Sequence, residues 1–125
     1  MPRTAVSYSP LTPNGSVAEP AGTTINPTLV TNGVVIENAD PERTVLRVAN
    51  TSTGAKAVTV RAGSGNPSWM AGQGDLTANV ASETGVSYIG PFTSARFQQQ
   101  GSKLYVDFAS GTTGTITVLK LPKAF

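Results

Sequence analysis

The side chains that most often carry nucleophilic catalysis are missing from this chain, because its 125 residues include no histidine and no cysteine. Ser-His and Cys-His arrangements, in which a base activates the nucleophile, are therefore excluded. The usual nitrogen and sulfur ligands of a transition metal are absent as well. A Ser-Lys pair would need a desolvated lysine, whereas the lysines fall at expected turns, strand edges and the last residues: Lys56, Lys103, Lys120 and Lys123.

The carboxylates are the remaining candidates for chemistry, since a pair of them can cleave a glycosidic bond. Asp40 and Glu42 flank Pro41 in a predicted turn, which is an ordinary place for acidic residues. Asp107 lies in an alternating run, so we expect it on the outer face of its strand. A calcium loop needs several oxygens at fixed spacing, and 72–75 (GQGD) supplies one carboxylate. We therefore predict no catalytic residue, no cofactor, no metal site and no enzymatic activity.

The large apolar side chains are candidates either for the core or for an interface. Tyr88, Phe97 and Phe108 follow the two-residue alternation of strands, so we expect them in the core. Trp69 and Met70 instead lie in a long irregular stretch rich in glycine. Trp69 could plug that loop or anchor an interface, where aromatic residues and methionine are enriched. We take Trp69 and Met70 as candidate partner-binding residues.

Charge is sparse along the whole chain, with 13% charged residues, a net charge of +2 and a pI of about 9.2. The basic residues are dispersed instead of clustered, so no nucleic-acid partner is expected. No apolar run approaches the roughly 18 residues that span a bilayer, and the first residues lack the apolar stretch of a secretory signal. We therefore expect no membrane partner and synthesis in the cytoplasm. A weakly charged polar surface also tolerates close packing against copies of itself.

Residues 1–27 contain five of the nine prolines. Each proline fixes φ, removes a backbone donor and pushes the preceding residue towards extended conformations. We therefore expect an extended, proline-rich N-terminal arm. This arm could wrap its own domain, or it could lie on a neighbouring subunit or a larger surface. In the second case Pro10, Pro13 and Pro20 are the residues that we expect to contact the partner.

From residue 28 the chain alternates apolar and polar residues in short runs separated by turn residues. Residues 28–31 and 34–37 flank Asn32-Gly33, a strong signal for a hairpin between two strands. Comparable runs follow at 44–50, 57–62, 75–80, 86–89, 95–98, 103–108 and 115–121. No helix of useful length is indicated. The pattern predicts an all-β domain over 28–125, an antiparallel β-sandwich or barrel of about eight strands.

A set of short motifs is distributed over this domain: 41–48 (PERTVLRV), 58–63 (VTVRAG), 72–76 (GQGDL), 89–92 (IGPF), 96–98 (RFQ) and 114–118 (GTITV). In these motifs the chain resembles the capsid decoration proteins, or head accessory proteins, of tailed phages that infect actinobacteria. The resemblance runs from about residue 28 to residue 122 and carries no catalytic motif. It implies a β-module on the outside of the major capsid lattice.

The resemblance therefore implies a non-enzymatic virion protein, made in the host cytoplasm, that cements adjacent major capsid subunits. Its partners would be the major capsid protein and further copies of this chain, with a trimer expected by analogy. Two other functions stay open. The chain could be a carbohydrate- or receptor-binding β-sandwich, in which Trp69 and Tyr88 stack on sugars. It could also be a tail or connector component of the virion, which a low copy number would distinguish.

Overall fold

Two β-sheets packed face to face form the fold in the residues that the structure, a computed structural model, describes: 3–63, 74–99 and 101–122. Sheet A contains, in spatial order, β1 (Thr4–Ala5), β4 (Val34–Ile36), β9 (Leu104–Phe108), β6 (Lys56–Val60) and β7 (Leu76–Val80). Sheet B contains, in spatial order, β2 (Tyr8–Pro10), β10 (Gly114–Lys120), β5 (Thr44–Asn50) and β8 (Gly85–Ile89), and β3 (Thr23–Thr24) also pairs with β10. The short helices are α1 (Pro27–Asn32), a 3₁₀ turn (Pro41–Arg43) and α2 (Ser94–Phe97).

The core lies between the inner faces of the two sheets. Buried and half-buried residues alternate strictly along β5 and β9, as period-two patterning requires. Leu46 and Val48 of sheet B and Leu104 and Val106 of sheet A are fully buried in one apolar cluster. Each such side chain contributes roughly 1.5–3 kcal/mol by leaving water. The predicted all-β, sandwich-like fold is confirmed.

Strand pairing is antiparallel wherever both strands begin after residue 22, within the described residues. The parallel pairs are β1 with β4 and β2 with β10, and both involve the first ten residues. The antiparallel prediction therefore holds for the domain proper. The N-terminal segment adds β1 and β2, which run parallel to the strands they pair with.

The predicted strand at 28–31 is wrong, because this stretch lies in helix α1. The Asn26 side chain caps the helix by accepting a hydrogen bond from the backbone N–H of Leu29 at 2.8 Å. Pro27 occupies the first turn, where a missing N–H costs nothing. Gly33, with φ of 81°, ends the helix and donates its N–H to the carbonyl of Leu29. The Asn-Gly pair therefore marks a helix end and not a hairpin.

The predicted strand at 95–98 is also wrong, because α2 forms a single helical turn there. The backbone N–H of Phe97 donates to the carbonyl of Thr93 at 3.1 Å. The Phe97 ring meets Phe92 edge to face, with the ring centroids 5.5 Å apart, and both rings are buried. The expected burial of Phe97 and Phe108 is confirmed.

The N-terminal segment crosses from one sheet to the other. It starts beside β4 at an edge of sheet A and continues beside β10 at an edge of sheet B. Residues 11–22 then leave the sheet, and β3 returns to pair with β10. Because β5 occupies the whole length of one side of β10, β2 and β3 share the other side. The segment therefore closes sheet edges that would otherwise be open.

Candidate partner-binding surface

The predicted interface residues lie in two separate parts of the chain. Pro10 ends β2 and is exposed, and Pro13 is exposed in a turn just beyond it. Pro20 is half-buried near the end of the same excursion. Trp69 and Met70 lie outside the described residues. The structure therefore groups the three prolines around residues 11–22, which we call the proline loop.

Residues 3–10, which we call the strap, are held first by an arginine. The Arg3 guanidinium donates to the Asp107 carboxylate at 2.6 Å and lies over the Tyr105 ring, 4.3 Å from its centroid. It is three-quarters buried, and so is Asp107. A charge-assisted hydrogen bond of this kind is about twice as strong as a neutral one. Arg3 therefore fixes the start of the strap to sheet A.

The middle of the strap is held by one apolar and one polar contact. Val6 is 6% exposed and belongs to the apolar core. The Tyr8 hydroxyl accepts a hydrogen bond from the backbone N–H of Asp40 at 2.9 Å and lies 2.7 Å from the hydroxyl oxygen of Thr44. Thr44 Oγ1 in turn donates to the carbonyl of Asp40. Along its sequence the strap thus makes three different contacts. Arg3 binds a carboxylate, Val6 packs in the apolar core and the Tyr8 hydroxyl forms hydrogen bonds.

Asp107 also joins Arg3 to a wider charge network on the outer face of sheet A, which comprises Arg3, Asp107, Arg61 and Asp75. Arg61 Nε donates to Asp107, and Arg61 Nη1 donates to Asp75 at 3.0 Å. The expected outer-face position of Asp107 is confirmed, since its neighbours Val106 and Phe108 are buried. Its carboxylate is held between two arginines instead of standing alone in water.

The charge network moves the pKa values of Asp107, Asp75 and Arg61. Burial by itself raises the pKa of Asp107, but hydrogen bonds and positive charge from Arg3 and Arg61 outweigh it, so the pKa lies below the usual value. The backbone N–H of Ala62, which donates to Asp75 at 2.6 Å, is the largest cause that lowers the pKa of Asp75. Hydrogen bonds to the two carboxylates raise the pKa of Arg61. Asp107, Asp75 and Arg61 are therefore charged at neutral pH.

The proline loop lies against the outer face of sheet B. The Arg47 guanidinium is 3.6 Å from the Glu19 carboxylate, and 69% of the Glu19 side chain is exposed. Gly22, with φ of 79°, packs so closely on Thr117 that an added Cβ would stand 2.6 Å from its hydroxyl oxygen. Residues 12–19 are all exposed. The loop is thus closely packed at its end and loosely attached along its length.

Strand β8 shows its more apolar side to the outside. The alternating residues Val86 and Tyr88 are 44% and 64% exposed, whereas Ser87 and Ile89 face inward. The sequence-based assignment of Tyr88 to the core is therefore wrong. The strand register explains why Tyr88 faces outward. Ile89 pairs with the fully buried Leu46, and this pairing fixes which side of β8 faces inward.

Val17, Val86 and Tyr88 are the exposed large hydrophobic residues of the described part of the chain. Val86 and Tyr88 lie two residues apart on one face of β8, and we call them the apolar patch. Tyr88 is the cross-strand partner of Arg47, which contacts the proline loop through Glu19. Val17 lies two residues before Glu19 in that loop. The apolar patch and the proline loop therefore belong to the same side of the molecule, the outer face of sheet B.

The acidic side chains that the structure describes do not converge on one point. No group of three or more histidine, cysteine, aspartate or glutamate side chains that could hold a metal ion is present among them. Asp40 forms an ion pair with Arg43 at 3.2 Å in the turn where it was expected. No helix in residues 3–63, 74–99 and 101–122 has the length and apolar character needed to cross a membrane.

Comparison with protein-family models, with curated proteins and with solved structures finds no match to this chain. The outer face of sheet B, with its exposed aromatic side chain and its proline loop, is the feature of the structure that bears on function.

Sequence reasoning missed the anchoring residues of the strap and the exposure of Tyr88. Val6 and Tyr8 are spaced two apart in RTAVSY, which is a signal for a short strand that the nearby prolines obscure. In GVSYI the alternation is equally clear, but it offers two faces, and the more apolar one is on the outside. Only the pairing partner of β8 decides between them.

Proposed function

We propose that this protein is a non-enzymatic structural component of a virion, which binds the outer surface of a phage capsid and holds adjacent major capsid subunits together. The resemblance of residues 28–122 to capsid decoration proteins supplies the class of partner. The observation that carries the proposal is the outward-facing apolar side of β8, with Tyr88 64% exposed. Exposed aromatic side chains on a weakly charged face favour adhesion to another protein.

A lattice multiplies a weak contact. The apolar patch has two large side chains, which supports a modest interface for a single copy. Repetition of that contact over a symmetric shell converts modest affinity into firm attachment, because the second and later contacts of a linked assembly are intramolecular. Self-association, with a trimer as the expected assembly, would supply such linked copies.

The proline loop suits the edge of such an interface. It is exposed along residues 12–19 and includes Pro13, while Pro10 and Pro20 stand close to its two ends. Proline reduces the conformational freedom of the unbound loop, so docking costs less entropy than for a flexible segment. The loop can therefore add contacts with a second capsid subunit beside the one that the apolar patch touches.

The test uses phage shells that lack this protein, to which the purified chain is added. We expect saturable co-sedimentation, hundreds of copies per particle in electron-microscopic reconstructions, and a higher temperature of shell rupture. Absence of binding at micromolar concentration would overturn the proposal. A dozen copies or fewer at one vertex would instead assign the chain to the tail or connector.

Substitution on the apolar patch separates this surface from the rest of the fold. Tyr88→Ser is expected to weaken shell binding at least tenfold, because truncating a central aromatic contact costs about 2 kcal/mol. Asn79→Ser is the matched control, since Asn79 is exposed on β7, an edge strand of the other sheet. Thermal unfolding should be nearly unchanged in both variants. Equal binding by both would remove β8 from the interface.

A second candidate function is carbohydrate binding. The observation in its favour is again the exposed ring of Tyr88, since an outward-facing tyrosine can stack on a sugar. A glycan array probed with the wild-type chain and with Tyr88→Ser distinguishes the two functions. Binding of defined glycans that is lost in the variant, without any binding to shells, would favour the carbohydrate function.

A further inference from the structure

The strap occupies its place on the rest of the fold as a separate peptide strand would. Its pairings with the sheets are short, covering Thr4–Ala5 on β4 and Tyr8–Pro10 on β10. Side chains of the strap make the contacts already described: Arg3 to a carboxylate, Val6 to the core and Tyr8 to a threonine hydroxyl and a backbone N–H. The body, which we define as the described residues between 23 and 122, therefore has a site that an extended segment fills.

The connection between strap and body is much longer than its course requires. Pro10 pairs with Lys120, and Thr23 pairs with Ile116, so the two ends of the proline loop stand four residues apart along β10. That separation is roughly 13 Å at the rise of a strand. The twelve residues 11–22 can extend over roughly 40 Å. The surplus length is enough to carry the strap to the body of an adjacent molecule.

Detachment of residues 12–19 of the proline loop, which are all exposed, would break few contacts. Its ion pair with the body, between Glu19 and Arg47, is 3.6 Å long and mostly in water. Two hollows of about 340 and 380 Å³ flank the strap itself, both lined in part by residues 5–8. The strap is thus held by its anchoring side chains and not by close packing on every side.

We infer that the body's strap site is an interface between copies of this chain, which takes residues 3–10 of a second copy in place of its own. The contacts are the same whether the strap comes from the same copy or another one. The balance is therefore set by concentration and by the freedom of the proline loop. The exchange concerns two molecules of this chain and needs no shell, so it stands or falls apart from the capsid role.

Disulfide trapping tests the exchange, and the chain is suited to it because it contains no cysteine. Ser9 and Leu119 are register partners across the strap and β10. Neighbouring strands place such partners within the Cα separation of about 4.4–6.8 Å that a disulfide accepts. Ser9→Cys and Leu119→Cys are prepared as two single variants with tags of different mass, mixed, equilibrated at high concentration and then oxidised. We expect a mixed disulfide whose yield rises with concentration.

Two controls make the result decisive. The double variant Ser9→Cys/Leu119→Cys should close an internal disulfide in dilute solution, which shows that the pair can be bridged. Thr59→Cys mixed with Thr77→Cys reports chance collisions, since these partners both belong to the body. A mixed disulfide of the first pair no more abundant than that of the second would overturn the inference. Failure of the double variant to close would overturn it as well, because the strap would not lie beside β10.

The rate of exchange gives a second readout. Asp107→Asn weakens the hold on Arg3 and should speed formation of the mixed disulfide by about tenfold, the factor expected for a lost charge-assisted hydrogen bond. Asp75→Asn is the matched control, because Asp75 contacts Arg61 but not Arg3. Equal rates in the two variants would show that strap release is not what limits the exchange, which contradicts the inference.

Discussion

The outer faces of the two sheets differ more than their inner faces do. Both sheets bury the same kinds of aliphatic side chain in one core. Outside, sheet A carries a charge network in which each carboxylate contacts at least one arginine. Sheet B instead carries an exposed tyrosine, exposed valines and a loop whose exposed length contacts the sheet through a long ion pair. The polar groups of the first face are satisfied within the molecule, whereas the apolar groups of the second are left in water.

The contrast separates stability from recognition. A network of mutually paired charges holds its own strands and offers little to a partner, because binding would have to desolvate groups that are already satisfied. An apolar face gains free energy only when another surface covers it. We therefore expect changes on the outer face of sheet A to alter unfolding, and changes on that of sheet B to alter binding.

The largest effect on the sheet A side is expected for Gly33→Ala. Gly33 has φ of 81°, which an alanine adopts only with strain, and the added Cβ would collide with the Arg3 guanidinium and the Asp107 carboxylate. We expect the free energy of unfolding in urea to fall by about 3 kcal/mol. Gly54→Ala is the control, because no atom lies within 4 Å of its added Cβ. It should change stability by less than about 0.5 kcal/mol.

An equal loss of stability in both glycine variants would show that the close approach of Gly33 to the charge network is not the cause of the loss. A loss in Gly33→Ala alone sharpens the contrast between the faces, provided that shell binding per folded molecule is unchanged. Binding is measured on the folded fraction for this reason.

A smaller loss is expected for Asp107→Asn. The variant keeps the shape of the side chain but removes the negative charge shared by Arg3 and Arg61. Because hydrogen bonds to partly buried charged groups contribute more than exposed ion pairs, we expect a loss of about 1–2 kcal/mol in urea unfolding. Asp75→Asn, which removes a negative charge beside Arg61 but not beside Arg3, should lose less. A greater loss of stability in Asp75→Asn would show that Asp75, and not Asp107, contributes most to the charge network.

The strands of the core could be predicted from the sequence because period-two alternation and burial coincide there. In β5 the expected inward residues Leu46 and Val48 are buried and Arg47 between them is half-buried. In β9 the same holds for Val106 and Phe108, with Asp107 between them. The class of the fold followed from these runs and from the turns between them. Local patterning is sufficient where a strand has neighbours on both sides and one apolar face.

The pattern was insufficient where tertiary contacts decide. Three of the residues 28–31 are β-branched, which favours a strand, yet the cap at Asn26 and the stop at Gly33 make this stretch helical. The exposure of Tyr88 depends on which residue of β5 pairs with it, and no local signal contains that information. Arg3 and Asp107 are more than a hundred residues apart in the sequence. Their contact depends on the parallel pairing of β1 with β4, which neither the pattern nor the spacing of the residues indicates.

Acid should affect the two faces unequally. The folded-state pKa values of Asp107 and Asp75 lie below their ordinary values, so their stabilising contribution is present above a pH of about 4 and is lost as the pH falls through the folded-state values. We expect the urea midpoint to fall between roughly pH 5 and pH 2, and to fall less steeply in Asp107→Asn. Identical pH profiles for the variant and the wild type would remove Asp107 from the acid response.

The smallest effect is expected for Glu19→Gln on the sheet B side. Glu19 is 69% exposed and lies 3.6 Å from Arg47, so water and salt screen most of the attraction between them. We expect the free energy of unfolding to change by less than about 0.5 kcal/mol. Limited proteolysis within residues 12–19 should nevertheless become faster, because the ion pair holds the later part of the proline loop to the sheet. The matched comparison is Glu83→Gln, whose side chain is exposed in the turn before β8. Cleavage as slow in Glu19→Gln as in Glu83→Gln would mean that the loop is held by its closely packed end at Gly22. The contrast between a self-contained sheet A face and a loosely covered sheet B face would then be narrower than the ion pairs indicate.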